Sequence, residues 1–163
     1  MKLIYDTLQA PFGAIYIVMD EFGLLRVVMT PERWEDCRKE FGEIEHDSER
    51  SAEVITQLEE YFSGKRKEFT VSLSIKGTAF SEKVWQELRK IPFGETRSYA
   101  DIAQALGNPK ISRAVGQANR RNPLPIFIPC HRVIGKDGSM TGYIGEKHIP
   151  IKEYLLKMEC SFL

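Results

Sequence analysis

The stretch SYADIAQALGNPKISRAVGQAN, Ser98 to Asn119, decides how the second half of this 163-residue chain is read. Ser98-Tyr-Ala-Asp101 has the S-x-x-D form in which a hydroxyl and a carboxylate three residues on satisfy each other's backbone N–H groups, so a helix opens there. Ile102, Ala103 and Leu106 fall inside it and Gly107 ends it. Asn108-Pro109 then reads as the cap and first residue of another helix running to about Asn119. Two short helices around a glycine turn make a helix-turn-helix candidate. The second helix carries Ala114, Gly116 and Ala118 beside Arg113, small residues that let a helix backbone approach a duplex. The same residues equally suit packing on the preceding helix, and such helix pairs are common.

Toward the N-terminus, Thr78 can cap a helix whose apolar face is Phe80, Val84, Leu88 and Ile91, stopped by Pro92-Phe-Gly94. A boundary falls near Gly77, giving lobes 1–76 and 77–163. The first lobe reads as strands Leu3 to Thr7, Gly13 to Met19 and Leu24 to Met29, an antiparallel meander. Helices follow around Glu32 to Phe41 and from Ser51 to Phe62, where Val54, Ile55, Leu58, Tyr61 and Phe62 share a face. Phe69, Val71, Leu73 and Ile75 then alternate along an extended segment. His46 and Cys37 are too isolated for a metal site and read as structural.

Beyond Asn119, Pro123 and Pro125 in RRNPLP bar regular helix and steer the chain into IFIPCHRVI, Ile126 to Ile134. Along a strand, alternation sends Cys130 and His131 to opposite sides, poorly placed to chelate one metal ion. Pro150 starts a last helix with Ile151, Tyr154, Leu155 and Met158 inward.

Composition excludes several classes. No window approaches the roughly 20 apolar residues of a membrane helix, and the N-terminus lacks a basic region followed by an apolar block. Three cysteines without a CxxC pair leave an odd thiol in any disulfide scheme, which fits a reducing compartment, and the chain is placed in the cytoplasm. The formal net charge of zero conceals a sorting: residues 77–163 hold 13 Lys and Arg against 8 Asp and Glu, residues 1–76 hold 10 against 15. Ile102 to Lys136 contains six cations and no carboxylate. Such a run is a phosphate-facing surface or a solvated basic face.

PCHRVI, preceded by RNPLP and the helix NPKISRAVGQAN and followed by GSMTGY, resembles the active-site region of the O6-alkylguanine-DNA alkyltransferases, the methylated-DNA-protein-cysteine methyltransferases. The resemblance covers about Thr78 to Glu159. It implies an α/β protein, with an N-terminal ribonuclease-H-like lobe and a C-terminal winged helix-turn-helix lobe holding the site. It implies direct repair of O6-alkylguanine in double-stranded DNA, bound by the minor groove with little sequence preference, by a monomer that is spent after one transfer and needs neither cofactor nor metal.

Carried over position by position, the resemblance makes Cys130 the nucleophile and His131 its base through a water, with Glu159 orienting the imidazole. Tyr99 rotates the 3′ phosphate and donates a proton to guanine N3, Arg113 fills the space of the flipped base, and Asn122 holds the turn into the active-site strand. Ala114, Gly116 and Arg120 belong to the DNA-binding helix. Pro125 and Tyr143 line the alkyl pocket and the Val133 carbonyl accepts from the exocyclic amine. Two departures stand out. Ile144-Gly-Glu-Lys147 replaces a small residue and two glycines, narrowing the pocket while an N–H at Ile144 still reaches O6, and Asn119 replaces a methionine, altering contacts in the groove. The alternatives are a DNA-binding module without chemistry, which the presence of Cys130 opposes, and a cysteine hydrolase pairing Cys130 with His46 or His148, which no oxyanion-hole signature supports.

Overall fold

The computed structural model describes residues 2–140 and 148–163, so Tyr143 and Ile144 lie outside the described residues. The chain forms two compact units, Met1–Ile75 and Lys76–Leu163.

In the first unit, β1 (Ile4–Ala10), β2 (Gly13–Met19) and β3 (Leu24–Val28) form the expected meander, with α1 (Pro31–Phe41) and α2 (Ala52–Phe62) close to their expected bounds. The sheet order is β3-β2-β1-β4. The added strand β4 (Glu45–His46) runs parallel to β1 and is exposed; two polar residues offer no periodicity to read. One sheet face buries Val18, Leu25 and Val28 against Trp34 and Cys37 of α1. His46 joins Asp6 on β1 at 2.9 Å, and Ser51 donates to the same carboxylate, so both residues serve the sheet edge.

The turn between β2 and β3 is tied by the fully buried Asp20, whose Oδ1 accepts from the Phe22 and Gly23 N–H groups and whose Oδ2 accepts from Ser74. The segment expected to alternate through Phe69, Val71, Leu73 and Ile75 forms no strand. It makes one bridge, Leu24 to Leu73, and turns Ser74 inward, because Asp20 needs that hydroxyl as a donor.

The second unit packs α3 (Ala79–Leu88), α4 (Tyr99–Ala105), α5 (Ser112–Arg120) and α6 (Ile149–Ser161) with a two-stranded parallel pairing of β5 (Arg97–Ser98) and β6 (Val133–Ile134). The inward stripe of α3 is Ser81, Val84, Trp85 and Leu88, at the i, i+3, i+4, i+7 spacing of a core face. Phe80, expected inside, is 37% exposed, while Trp85 is 3% exposed and donates from its indole to the Ala118 carbonyl. Ile91 is buried beyond the helix end. Ser98 and Asp101 form the reciprocal cap, Gly107 turns the chain at φ +89°, and Asn108 caps a 3-10 turn, Pro109–Ile111, that leads into α5. Ala118 is buried against Trp85, so it serves helix packing and not a groove.

The largest correction concerns IFIPCHRVI. Cys130–Arg132 is a 3-10 turn, and the strand is confined to Val133–Ile134. Asn122 causes the break: its side-chain amide donates to the Ile128 carbonyl and its Oδ1 accepts from the Leu124 N–H, at 2.8 and 2.9 Å. This folds residues 122–128 on themselves and holds Ile126 at φ +77°, a conformation β-branched residues avoid.

Gly23 sits at φ +148° with no room for a methyl group, since a Cβ would run into the Ser72 carbonyl, whereas Gly13 at φ +135° faces open space. Gly23→Ala is expected to destabilise the first unit by about 1–3 kcal/mol more than Gly13→Ala, read as denaturant midpoints. Equal losses would mean that backbone strain and not crowding governs both sites.

Candidate active site

The 3-10 turn places Cys130 at the bottom of the second unit, fully buried. The Asn119 side chain donates to its carbonyl at 3.4 Å, so a residue expected in a groove instead supports the cysteine's own peptide. Donors gather at the sulfur: the Asn122 amide and the N–H groups of Cys130 and His131, with the Lys152 ammonium acting at longer range. Each favours the thiolate, but burial outweighs them and pushes the thiol up to about 11. At neutral pH the site holds a protonated thiol, and a base is needed to ionise it.

That base has its supports in place. His131 is fully buried in the same turn, and its Nε2 lies 2.7 Å from Oε2 of Glu159 on α6. Glu159 is itself saturated with donors. Oε1 accepts from the Gly94 N–H at 3.1 Å and Arg132 Nε at 2.8 Å, and Oε2 accepts also from Arg132 Nη2 at 2.9 Å. These donors hold the carboxyl far below the usual carboxylate range, with the His131 hydrogen bond the largest lowering influence. An ionised carboxylate only accepts, so Nε2 carries the ring hydrogen and Nδ1 keeps the lone pair. Nδ1 has no hydrogen-bond partner among the described residues. Burial lowers the imidazole below its ordinary value despite Glu159, since Arg132 and Lys152 oppose its charging. The ring is therefore neutral and basic at Nδ1.

Arg132 is anchored in turn, donating to the Ile91 carbonyl at 2.8 Å and lying over the Phe93 ring. The Pro92-Phe-Gly94 turn that ends α3 thus also builds the carboxylate site.

From α4, Tyr99 faces this centre half-buried. Burial first and the Cys130 charge second push its phenol up to about 12, and Asn119 hydrogen-bonds its side chain, so it is a protonated donor. On α5, Arg113, Ala114 and Arg120 are exposed. Gly116 looks toward the Tyr99 ring, where a Cβ would sit in ordinary contact at 3.8 Å, so its smallness is not enforced from within. Pro125 is buried in the turn before Cys130. The Val133 carbonyl, expected to await a ligand amine, accepts from Lys152 Nζ at 2.5 Å.

The structure therefore gathers Cys130, His131, Glu159, Asn122, Tyr99 and Val133 around one buried centre. It adds Arg132, Asn119 and Lys152, which sequence reasoning missed. Lys152 and Glu159 stand seven residues apart on the inward face of α6, and that spacing was the available signal. Among the described residues no group of three His, Cys, Asp or Glu side chains could hold a metal ion, and no helix is long and apolar enough to cross a membrane. A cleft of about 440 Å³ lined by Glu87, Lys90, Ile91, Arg97, Asp101, Ile102 and Ala105 includes none of the site residues.

Fold and site together define a two-unit protein with a buried Cys–His–Glu site, and comparison with known proteins gives the family. The ribonuclease-like domain of 6-O-methylguanine DNA methyltransferase matches residues 3–75 and the DNA binding domain of the same protein matches residues 79–161. This chain belongs to the 6-O-methylguanine DNA methyltransferase family. It is 51% identical over 156 residues to the constitutive methylated-DNA--protein-cysteine methyltransferase of Bacillus subtilis, covering 95% of this chain and 94% of that one. A Methanosarcina acetivorans methyltransferase of the same name is 43% identical, covering 98% and 99%. Among solved structures, the Mycobacterium tuberculosis O6-methylguanine methyltransferase superposes with a TM-score of 0.89 at 38% identity, covering 99% of this chain and 94% of that one. An M. tuberculosis structure in complex with DNA gives 0.85 at 38% identity, covering 97% and 93%.

The depressed His131 pKa sets a pH dependence of stability. The unfolded chain takes up a proton as pH falls through about 6.5 and the native state does not, so stability present above that pH is lost below it. Calorimetry between pH 7.5 and 5 is expected to show a falling melting temperature, with a shallower fall in His131→Asn. An identical slope in both would remove the buried neutral imidazole from the account.

Proposed function

We propose that this protein reverses O6-alkylguanine damage in DNA directly, moving the alkyl group to Cys130 in a single displacement. The observation that supports the reading most is the buried array of Cys130, His131, Glu159 and Arg132 within a domain of this family. His131 Nδ1 takes the thiol proton through a water while Glu159 holds the ring and offsets its developing charge. The thiolate attacks the alkyl carbon; the S–C bond forms, the C–O6 bond breaks, and its electron pair goes to the guanine. Tyr99, protonated at working pH, gives a hydrogen to N3 so that the base departs neutral. One proton leaves the sulfur side and one enters the base, which balances the step. A thioether is not hydrolysed by any residue described, so each molecule acts once.

A carbon on O6 lies within the base stack, so the nucleotide has to be turned out of the duplex, at a cost of a few kcal/mol. Arg113, exposed on α5 with a planar cationic head, fills the space left behind. Ala114 and Gly116 allow the helix close to the duplex and Arg120 adds charge. The protein binds as a monomer through the minor groove, reading backbone and not sequence. Pro125 bounds the alkyl pocket, and the second lone pair of the Val133 carbonyl receives the exocyclic amine. Three free cysteines, Cys37, Cys130 and Cys160, fit a cytoplasmic setting.

Intact mass and peptide mapping after mixing with a duplex containing one O6-methylguanine is expected to show a stoichiometric gain of one methylene, confined to Cys130. Cys130→Ala is expected to lose transfer and keep DNA binding; retained transfer would remove the assignment. Arg113→Ala is expected to slow duplex repair by about tenfold or more, near 1.4 kcal/mol, while reaction with free O6-methylguanine stays close to the unsubstituted rate. Equal losses on the two substrates would end the finger role.

A further inference from the structure

Asn119 is fully buried near the end of α5, and a buried amide is kept where its hydrogen-bonding groups are used. One use is direct: Nδ2 donates to the Cys130 carbonyl at 3.4 Å. A second involves α4. A Cβ built on Gly116 would stand 3.8 and 3.9 Å from Cδ1 and Cε1 of Tyr99, so one edge of the phenol ring rests against α5 at that glycine. Asn119 follows Gly116 by three residues, the spacing that sets two positions side by side on one helix face. The ring therefore runs beside the asparagine, and the two side chains are hydrogen-bonded to each other. That bond favours the charged form of the phenol, so the amide is the donor and the phenol oxygen the acceptor. The same amide touches the peptide of the nucleophile and the side chain of the proton donor, and the acid–base scheme above gives it no part.

We propose that Asn119 is a positioning residue for alkyl transfer: its amide holds Tyr99 with the phenol oxygen accepting, which leaves the O–H hydrogen free to point at guanine N3, and it fixes that phenol relative to the Cys130 peptide. The proposal deepens the alkyl-transfer reading and rests on it. As the S–C bond forms and the C–O6 bond breaks, the Tyr99 proton passes to N3, the phenol oxygen keeps the O–H electron pair, and solvent returns a proton afterwards. The negative charge that collects on that oxygen meets an N–H already in place, so the asparagine strengthens the acid as it acts. A phenol pushed up to about 12, chiefly by burial, is a weak acid, and a fixed donor on its oxygen offsets part of that. Arg120 acts on the phenol in the same sense, as a charge on the exposed side of α5.

The test compares a leaving group that needs a proton with one that does not. O6-methylguanine in a duplex needs one. Methyl iodide does not: the thiol gives its proton to His131, sulfur displaces iodide, and the C–I electron pair leaves with the halide. Methylation of the Cys130 peptide is timed with each reagent in the unsubstituted protein, Asn119→Leu, Tyr99→Phe and the double variant. The duplex is saturating, so that DNA affinity drops out, and melting curves record folding. Asn119→Leu is expected to lose about tenfold more with O6-methylguanine than with methyl iodide, near 1.4 kcal/mol. That excess is expected to vanish in the Tyr99→Phe background, because the two side chains act as a pair. Equal losses with the two reagents, or an excess that persists without the phenol, would overturn the proposal and leave Asn119 a tie for the Cys130 peptide. Should Asn119→Leu fail to fold, the side-chain amide NMR signals of Asn119 decide: they are expected to shift in Tyr99→Phe, and unmoved signals would overturn the proposal. An unsubstituted protein methylated by methyl iodide but not by the duplex would overturn the repair reading and this role together, whereas duplex repair with equal losses in Asn119→Leu overturns the role alone.

Discussion

The second unit is organised around the Glu159 carboxylate. A buried anion is costly unless every lone pair is met, and here four donors from two segments meet it: the Gly94 N–H, two Arg132 nitrogens and His131 Nε2. Satisfying that one group fixes the end of α3, the face α6 presents inward, and the orientation of the 3-10 turn that carries Cys130. Arg132 has a dual part. It makes the burial tolerable, and it adds to burial, the larger influence, in keeping the neighbouring imidazole neutral.

A second constraint comes from burial acting on several acids and bases at once. Withdrawal from water raises Cys130 and Tyr99 and lowers His131 and Lys152. The resting site therefore favours a neutral thiol, a neutral imidazole and a neutral phenol. The sulfur carries charge only in passing, when its proton leaves, and the donors already aimed at it do not have to reorganise to receive it.

Local signals were legible where one short stretch decides them. The Ser98–Asp101 cap, the Gly107 turn, the Asn108 cap and the meander strands all rest on rules spanning a few residues, and the fold follows them. The cysteine and histidine were legible through PCHRVI and its flanks. What escaped depended on partners far along the chain. Ile126 to Ile134 has the apolar composition of a strand, but Asn122 ties off the Leu124 and Ile128 backbone groups that a strand would use. Asn119 and Lys152 are polar residues whose burial follows from what α5 and α6 are packed against. Phe80 is apolar and expected inside, yet the core face of α3 runs through Ser81, Val84, Trp85 and Leu88, and the larger Trp85 takes the core position.

The burial of Cys130 also bears on selectivity among the thiols of this chain. Reaction of a cysteine with a diffusing oxidant or electrophile scales with access and with the fraction of thiolate, and Cys130 is unfavourable on both counts while Cys160 lies exposed at the end of α6. General thiol chemistry in solution therefore falls on Cys160 before it reaches the buried centre. The reactive residue is preserved by being unreactive toward most of what it meets, and its chemistry is governed by which molecule can be brought into the unit's interior.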